Sequence, residues 1–414
     1  MLPFSLDKAT AIKIPFFTFY FKGTRFQGNG ELRWNPKEGL HLEATAESKR
    51  QETLIIEGGG GGPVPKRCFR FKIDDYWMAI CPNVFFSERD EFLLLSAGTV
   101  SKDFQHLIFF SHEFSFDENR KFTNECYFKV NKNSIFPDKL SYEIKVSDEP
   151  IQLKESMQGL TLSDESLKLT GFLNDDGHFK IFWKAIEGFY SKQCEWQIPL
   201  AVRDALSICL GQTVHLLERT LIRKKRILGE IVKEREVINL GLFSPISYEI
   251  TFEKELFSRL FKLFVKNDKH AIIVRQLFYR IADAVRTRNS DSWGFLICTA
   301  LEAFLRTYMN QPFKQNKKED TWQLEKSLTE LRARYFIEQY KNDWRRVFKK
   351  VTRTYKELRH REAHPDFTGF IENKASELAF KESKERLEKV AFLCRFYGYV
   401  FRAFSGFTNL KPEL

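Results

Sequence analysis

With 414 residues, 43% of them hydrophobic and 29% charged, the chain is too long for one ordinary domain and fits a soluble globular protein of two or three. The longest apolar run, Phe295 to Leu305, is interrupted by Glu302, which argues against a membrane span; seven scattered cysteines without a C-x-x-C pair argue against a disulfide framework and a structural zinc site. The net charge of +11 is uneven: residues 201–414 hold 41 Lys and Arg against 27 Asp and Glu, or +14, whereas the first 200 hold 25 against 28, or −3.

The first half is expected to be β-rich. Short aromatic and β-branched runs occur at Phe16–Phe21, Leu40–Ala46, Glu52–Glu57, Cys68–Ile73, Glu91–Ser96, His106–Phe116, Tyr142–Val146, Leu167–Leu173 and Phe179–Trp183. Gly28-Asn29-Gly30 and Asn35 to Gly39 supply turn formers between them. Many short strands so punctuated predict a sandwich or barrel-like domain over residues 1–190. The five-glycine tract Gly58 to Gly62 lacks the Lys-Ser/Thr ending of a P-loop and is taken as a loop tip. From Pro199, placed at a first helical turn, apolar residues recur every three or four positions through Leu206, Leu210, Val214, Leu217 and Leu221. Helices are predicted at 199–235, 252–265, 269–287, 291–309, 321–340, 342–361 and 374–404, which gives an α+β fold with an all-α domain over 199–414.

The helix that starts at Asn342 has two faces. Trp344, Phe348, Val351, Tyr355 and Leu358 make an apolar stripe, while Arg345, Arg346, Lys349, Lys350, Arg353 and Lys356 spread over the other side as candidate RNA-backbone contacts. A solvated basic face is the plainer account of those charges. The helix runs out in Arg359-His360-Arg361-Glu362-Ala363-His364-Pro365. An arginine can hold a phosphate with two donors, and a histidine titrates near neutral pH. Together they can cleave RNA without a metal or cofactor: a base, His364, takes the 2′-hydroxyl proton, and Arg359 stabilises charge on the phosphoryl oxygens. His360 could add a second imidazole. The spacing alone fits equally an Arg359 that caps the helix or pairs with Glu362 and a His364 that is only a turn residue.

The pattern Tyr355-x-x-Leu358-Arg359-His360-x-x-Ala363-His364 resembles the signature of HEPN domains, and Trp293 to Leu305, with its Ala300-Leu301-Glu302, resembles the helix that precedes that signature in ApeA-like members. Phe21 to Thr24 and Gly30 to Leu32 are weakly similar to the domain joined to such modules; the stronger resemblance covers residues 269–405. It implies a compact helical bundle that forms a homodimer or higher oligomer and a metal-independent endoribonuclease. Arg359 and His364 would be the catalytic pair, His360 the polar position after the arginine, and Glu302 a residue that orients or restrains them. A toxic effector in cytoplasmic anti-phage defence, answering a phage-derived trigger, is implied too, with transfer-RNA anticodon loops a target by analogy alone. No membrane partner is expected.

Two rivals stand beside this reading: a degenerate bundle that grips RNA or a nucleotide without cutting, and a scaffold in which the motif is structural. Lesser candidates are Arg223 to Arg226, expected as a basic cluster on a helix, and His106, His112 and Glu113, which lack a third well-spaced metal ligand.

Overall fold

The computed structural model describes residues 10–21, 24–35, 39–48, 54–55, 69–73, 76–80, 93–94, 97–104, 106–111, 124–140, 143–144, 151–152, 157–163, 167–185, 192–223, 226–232, 235–246, 252–287, 290–311, 323–336, 340–363 and 375–412. The fold is α+β. The chain divides into two compact units, one from 1–132, 138–199 and 215–236, the other from 133–137, 200–214 and 237–414. This differs from the division expected at 190–199 in the segments 133–137 and 215–236.

In the first unit the strands are β1 (Thr10–Phe21), β2 (Thr24–Asn35), β3 (Gly39–Ser48), β4 (Leu54–Ile55), β5 (Phe69–Ile73), β6 (Tyr76–Ile80), β7 (Leu93–Leu94), β8 (Ala97–Phe104) and β9 (His106–Ser111). They continue as β10 (Asn124–Lys129), β11 (Asp138–Leu140), β12 (Glu143–Ile144), β13 (Ile151–Gln152), β14 (Met157–Ser163), β15 (Leu167–Leu173), β16 (His178–Ala185), β17 (His215–Arg223) and β18 (Arg226–Val232). An antiparallel sheet runs in the order β11-β14-β15-β16-β10-β17-β18-β9-β6-β5-β1-β2-β3-β8. Alternation sets its buried face: Cys126 and Phe128 of β10 are buried beside Phe179, Ile181 and Trp183 of β16, and Glu125, Tyr127 and Lys129 of β10 are half-exposed.

Four turn and helix expectations are corrected here. Gly28-Asn29-Gly30 is no turn but the middle of β2, opposite a bulge in β1 where the register passes from Ile14↔Gly30 to Phe17↔Gly28. Pro15, with no N–H to give the ladder, lies in that bulge. The helix expected over 199–235 is instead α1 (Lys192–Leu210) followed by the β17–β18 hairpin. Gly211, at φ +59, stops the helix: its N–H bonds Ile208 O at 3.2 Å and the Gln212 N–H bonds Ser207 O at 3.1 Å. Beyond it Thr220, Ile222, Ile227, Ile231 and Val232 favour extended backbone. Arg223 and Arg226 are therefore paired hairpin ends, not a helical cluster. Pro199 lies inside α1 and not at its first turn.

Within the first unit Glu218 of β17 is buried, donated to by the Thr220 hydroxyl at 3.0 Å. Burial and then the nearby Glu125 push its carboxyl up to about 8.

The second unit is helical. It holds the later part of α1, then α2 (Lys254–Lys266), α3 (Lys269–Arg286), α4 (Ser290–Tyr308), α5 (Leu324–Tyr335), α6 (Lys341–Ala363) and α7 (Ala375–Phe404). Asp268 caps α3, its carboxylate accepting from the Ala271 N–H at 3.0 Å. The glycine tract, His112 and Glu113 fall outside the described residues.

Helix α4 is the hub of this unit, packing against α3, α5, α6 and α7. Its Ile297, Cys298, Leu301 and Leu305 are buried, and the Ile297 carbonyl accepts from the Tyr397 hydroxyl of α7 at 2.6 Å. Helix α6 turns Trp344, Phe348, Val351, Tyr355 and Leu358 into the core, as its periodicity predicts. The Trp344 indole N–H donates to the Leu410 carbonyl at 2.8 Å. Gly398 of α7 allows a close backbone approach: a Cβ there would sit 1.7 Å from the Pro245 carbonyl oxygen. On α1, buried Asp204 accepts from Arg203 at 2.7 and 2.9 Å, from Tyr279 at 2.9 Å and from Arg275, which fastens α1 to α3.

Candidate active site

Glu302 sits on α4 where its solvent side begins, with its side chain 13% exposed. It gathers three donors. Arg306, one turn on, gives its Nε to Oε1 at 2.9 Å; the Tyr355 hydroxyl gives to Oε2 at 3.2 Å; and Arg359 Nη1 gives to the same oxygen. Arg306 follows from i,i+4 spacing on one helix. The other two arrive from α6, where Tyr355 and Arg359 are themselves one turn apart and joined by Arg359 Nη1 to Tyr355 Oη at 2.5 Å.

The electrostatics fix who donates. Burial, and after it the Glu302 carboxylate, raises the Tyr355 phenol above its ordinary range, so it keeps its proton and points it at Glu302. Its oxygen is then the acceptor for Arg359. Burial works against charge on Arg359, but Tyr355 and Glu302 outweigh it and hold the guanidinium above its usual value. Among the described residues its hydrogen-bond partners are reached through Nη1. The Nε and Nη2 edges of a planar guanidinium remain for a second ligand, and the side chain is 42% exposed.

That exposed side borders an open groove of about 720 Å³ within the second unit. Its floor is the outer face of α4, with Phe295, Thr299, Ala303 and Thr307, and it continues to Asn310 and Gln311. Thr299 and Thr307 return their hydroxyl protons to the carbonyls of Phe295 and Ala303 at 2.8 Å each, so their lone pairs face outward. Lys269 closes the far end, donating to the Tyr308 carbonyl at 3.1 Å and to Asn310 Oδ1 at 2.5 Å.

Beside the groove's arginine, α6 carries the cationic face. Arg345, Arg346, Lys349, Lys350, Arg353 and Lys356 are all exposed. Three are partly engaged: Lys356 with Glu325 at 2.7 Å, Arg353 with Glu357 at 3.6 Å, and Lys350 over the Phe392 ring at 4.3 Å. Among the described residues no acid pairs with Arg345, Arg346 or Lys349.

The structure thus brings Glu302 and Arg359 together. His360 lies in α6 with its side chain outside the described residues, and His364 and Pro365 lie outside them altogether. Sequence reasoning missed Arg306, Lys269 and Phe295 as members of the groove, and took Tyr355 as core and as part of the resembling pattern without a role for its hydroxyl. Arg306 was findable from its spacing to Glu302, and Tyr355 from its spacing to Arg359. Among the described residues no cluster of three or more His, Cys, Asp or Glu is placed to hold a metal ion, and no helix is long and apolar enough to cross a membrane. No protein-family model, curated protein or solved structure matches the chain.

Proposed function

We propose that this chain is a metal-independent endoribonuclease of HEPN type. The observation that supports it most is Arg359: a guanidinium anchored through one nitrogen by Glu302 and Tyr355, half-exposed on an open groove, at the end of a helix with a cationic outer face. Such a group can take a phosphate with its remaining donors and hold it still. In the proposed reaction the base, His364, removes the ribose 2′-hydroxyl proton. The oxygen attacks the adjacent phosphorus, and the 5′-oxygen leaves with a proton from a second imidazole. The products are a 2′,3′-cyclic phosphate and a 5′-hydroxyl. His360, or the His364 of a second copy in a homodimer, would supply that second imidazole.

The wider setting rests on the family resemblance alone. In it the β-rich unit, a sandwich or barrel, senses a phage-derived trigger. The helical bundle cuts RNA, transfer-RNA anticodon loops being the accessible target, in the cytoplasm as a toxic defence effector.

The test is incubation with total bacterial RNA in excess chelator, beside Arg359→Ala and His364→Ala, with the fragment ends mapped. Discrete cuts ending in 2′,3′-cyclic phosphate, absent in both variants, are expected. Cuts that survive in Arg359→Ala would remove the proposal. A second reading is favoured by the engagement of Arg359 with Glu302, which any phosphate must share: a bundle that binds RNA without cleaving it. It predicts salt-sensitive binding and no cuts.

A further inference from the structure

Four large apolar side chains stand out as exposed among the described residues: Ile135, Leu242, Ile272 and Phe295. Three are aliphatic. The fourth, Phe295, is 43% exposed and lies in the groove that Arg359 borders. Neither holding a phosphate nor packing α4 calls for an aromatic ring there, since the core side of α4 is already filled by Ile297, Cys298, Leu301 and Leu305.

The groove's charge is complementary to a polyanion. Lys269, Arg306 and Arg359 line it against one acid, Glu302. Its length follows from the helix. At ~1.5 Å of rise per residue, Phe295 lies about 10 Å before Glu302, and Tyr308, the last residue of α4, about 9 Å after it. Arg359 is held at Glu302 and Lys269 at Tyr308. An aromatic face, a first cation and a second cation therefore follow one another over about 20 Å. That run is too long for one mononucleotide and matches a short stretch of chain.

We propose that this groove is a path for single-stranded RNA, in which one base stacks on Phe295, the neighbouring phosphate meets Arg359, and a phosphate further along meets Lys269. The inference rests on Arg359 as a phosphate-binding residue and adds the selector for unpaired RNA. In a duplex the base faces are covered by one another, so no face is free for Phe295; an unpaired base offers one whatever its sequence.

The experiment is fluorescence anisotropy with a labelled 2′-O-methyl single strand, which cannot be cut by 2′-hydroxyl attack, and with the duplex of the same sequence. Wild-type chain is compared with Phe295→Ala, Phe295→Trp, Lys269→Ala and Arg359→Ala. Because Phe295 is exposed, its variants should fold, and a urea midpoint equal to wild type checks this. Base–aromatic stacking of ~1–3 kcal/mol corresponds to a loss of about fivefold to a hundredfold in single-strand affinity for Phe295→Ala, with Phe295→Trp near wild type. Lys269→Ala and Arg359→Ala should weaken binding and flatten its salt dependence. Duplex affinity should not respond to Phe295→Ala. Equal single-strand affinities of wild type and Phe295→Ala overturn the inference, as does the lack of any measurable wild-type affinity. So does a fall in molecular mass for Phe295→Ala with RNA affinity unchanged, which would make the face a contact between copies. Cleavage is read separately on natural RNA. A Phe295 effect on binding without any cutting leaves the path and removes the nuclease; Arg359-dependent cutting with Phe295→Ala silent does the reverse.

Discussion

Glu302→Gln and Arg359→Ala should separate the part of the site that holds the fold from the part that faces solvent. Glu302 accepts from Arg306, Tyr355 and Arg359. A hydrogen bond to a charged group contributes ~1.5–3 kcal/mol when shielded, and an exposed ion pair ~0–1 kcal/mol. The Arg306 arm is shielded on both sides, at 10% and 13% side-chain exposure, whereas Arg359 is 42% exposed. Glutamine at 302 keeps the shape and removes the charge, so it should cost about 2–3 kcal/mol, most of it from the Arg306 and Tyr355 arms. Alanine at 359 should cost less than ~1 kcal/mol, because solvent already competes for the guanidinium. Urea titrations followed by far-ultraviolet circular dichroism read both, and the double variant gives the coupling between the two residues. An Arg359→Ala cost as large as that of Glu302→Gln would refute the reasoning. Arg359 would then be a strut between α4 and α6 and not a group held ready for a ligand.

Three further outcomes are expected. Glu218 keeps its proton in the folded state up to about 8 against an ordinary value of 4.5, so the native form binds the extra proton between those values and stability falls as pH rises through that window. The slope should approach ~1.4 kcal/mol per pH unit, and Glu218→Gln should remove it in urea midpoints measured across the range. Gly398→Ala drives a methyl to 1.7 Å from the Pro245 carbonyl oxygen, which should cost ~1–3 kcal/mol or more in thermal or urea unfolding. Lys349→Ala, removing a cation with no acid partner among the described residues, should lower the slope of log affinity against log salt for RNA by ~1 without selecting among sequences.

The helices were legible where packing demands a 3.6-residue stripe. Trp344, Phe348, Val351, Tyr355 and Leu358 are all buried on α6, and the basic residues between them are exposed. The 215–232 hairpin was not legible, because Val214, Leu217 and Leu221 fall at three and four residues by coincidence. The deciding signals were Gly211 and the β-branched residues that follow it. Spacing on one helix could pair Glu302 with Arg306. It could not pair Glu302 with Arg359, which lies 57 residues away and meets it only because α4 and α6 share a core. Tyr355 was half-read: its ring is core, and its hydroxyl reaches the site. Phe295 was read as part of an apolar run, since no local pattern marks which side of a hub helix stays open.

Helix α4 spends one side on its neighbours and the other on the groove, and the two sets of positions interleave along a single segment. Inheritance can therefore act on them separately. Changes at 297, 298, 301 and 305 disturb the bundle itself, whereas changes at 295, 299, 303 and 307 leave it standing and alter only what the outer surface prefers. A pool of random variants of this one helix, sorted once for folding and once for ligand, would give two offset ladders of tolerance, each with the pitch of the helix.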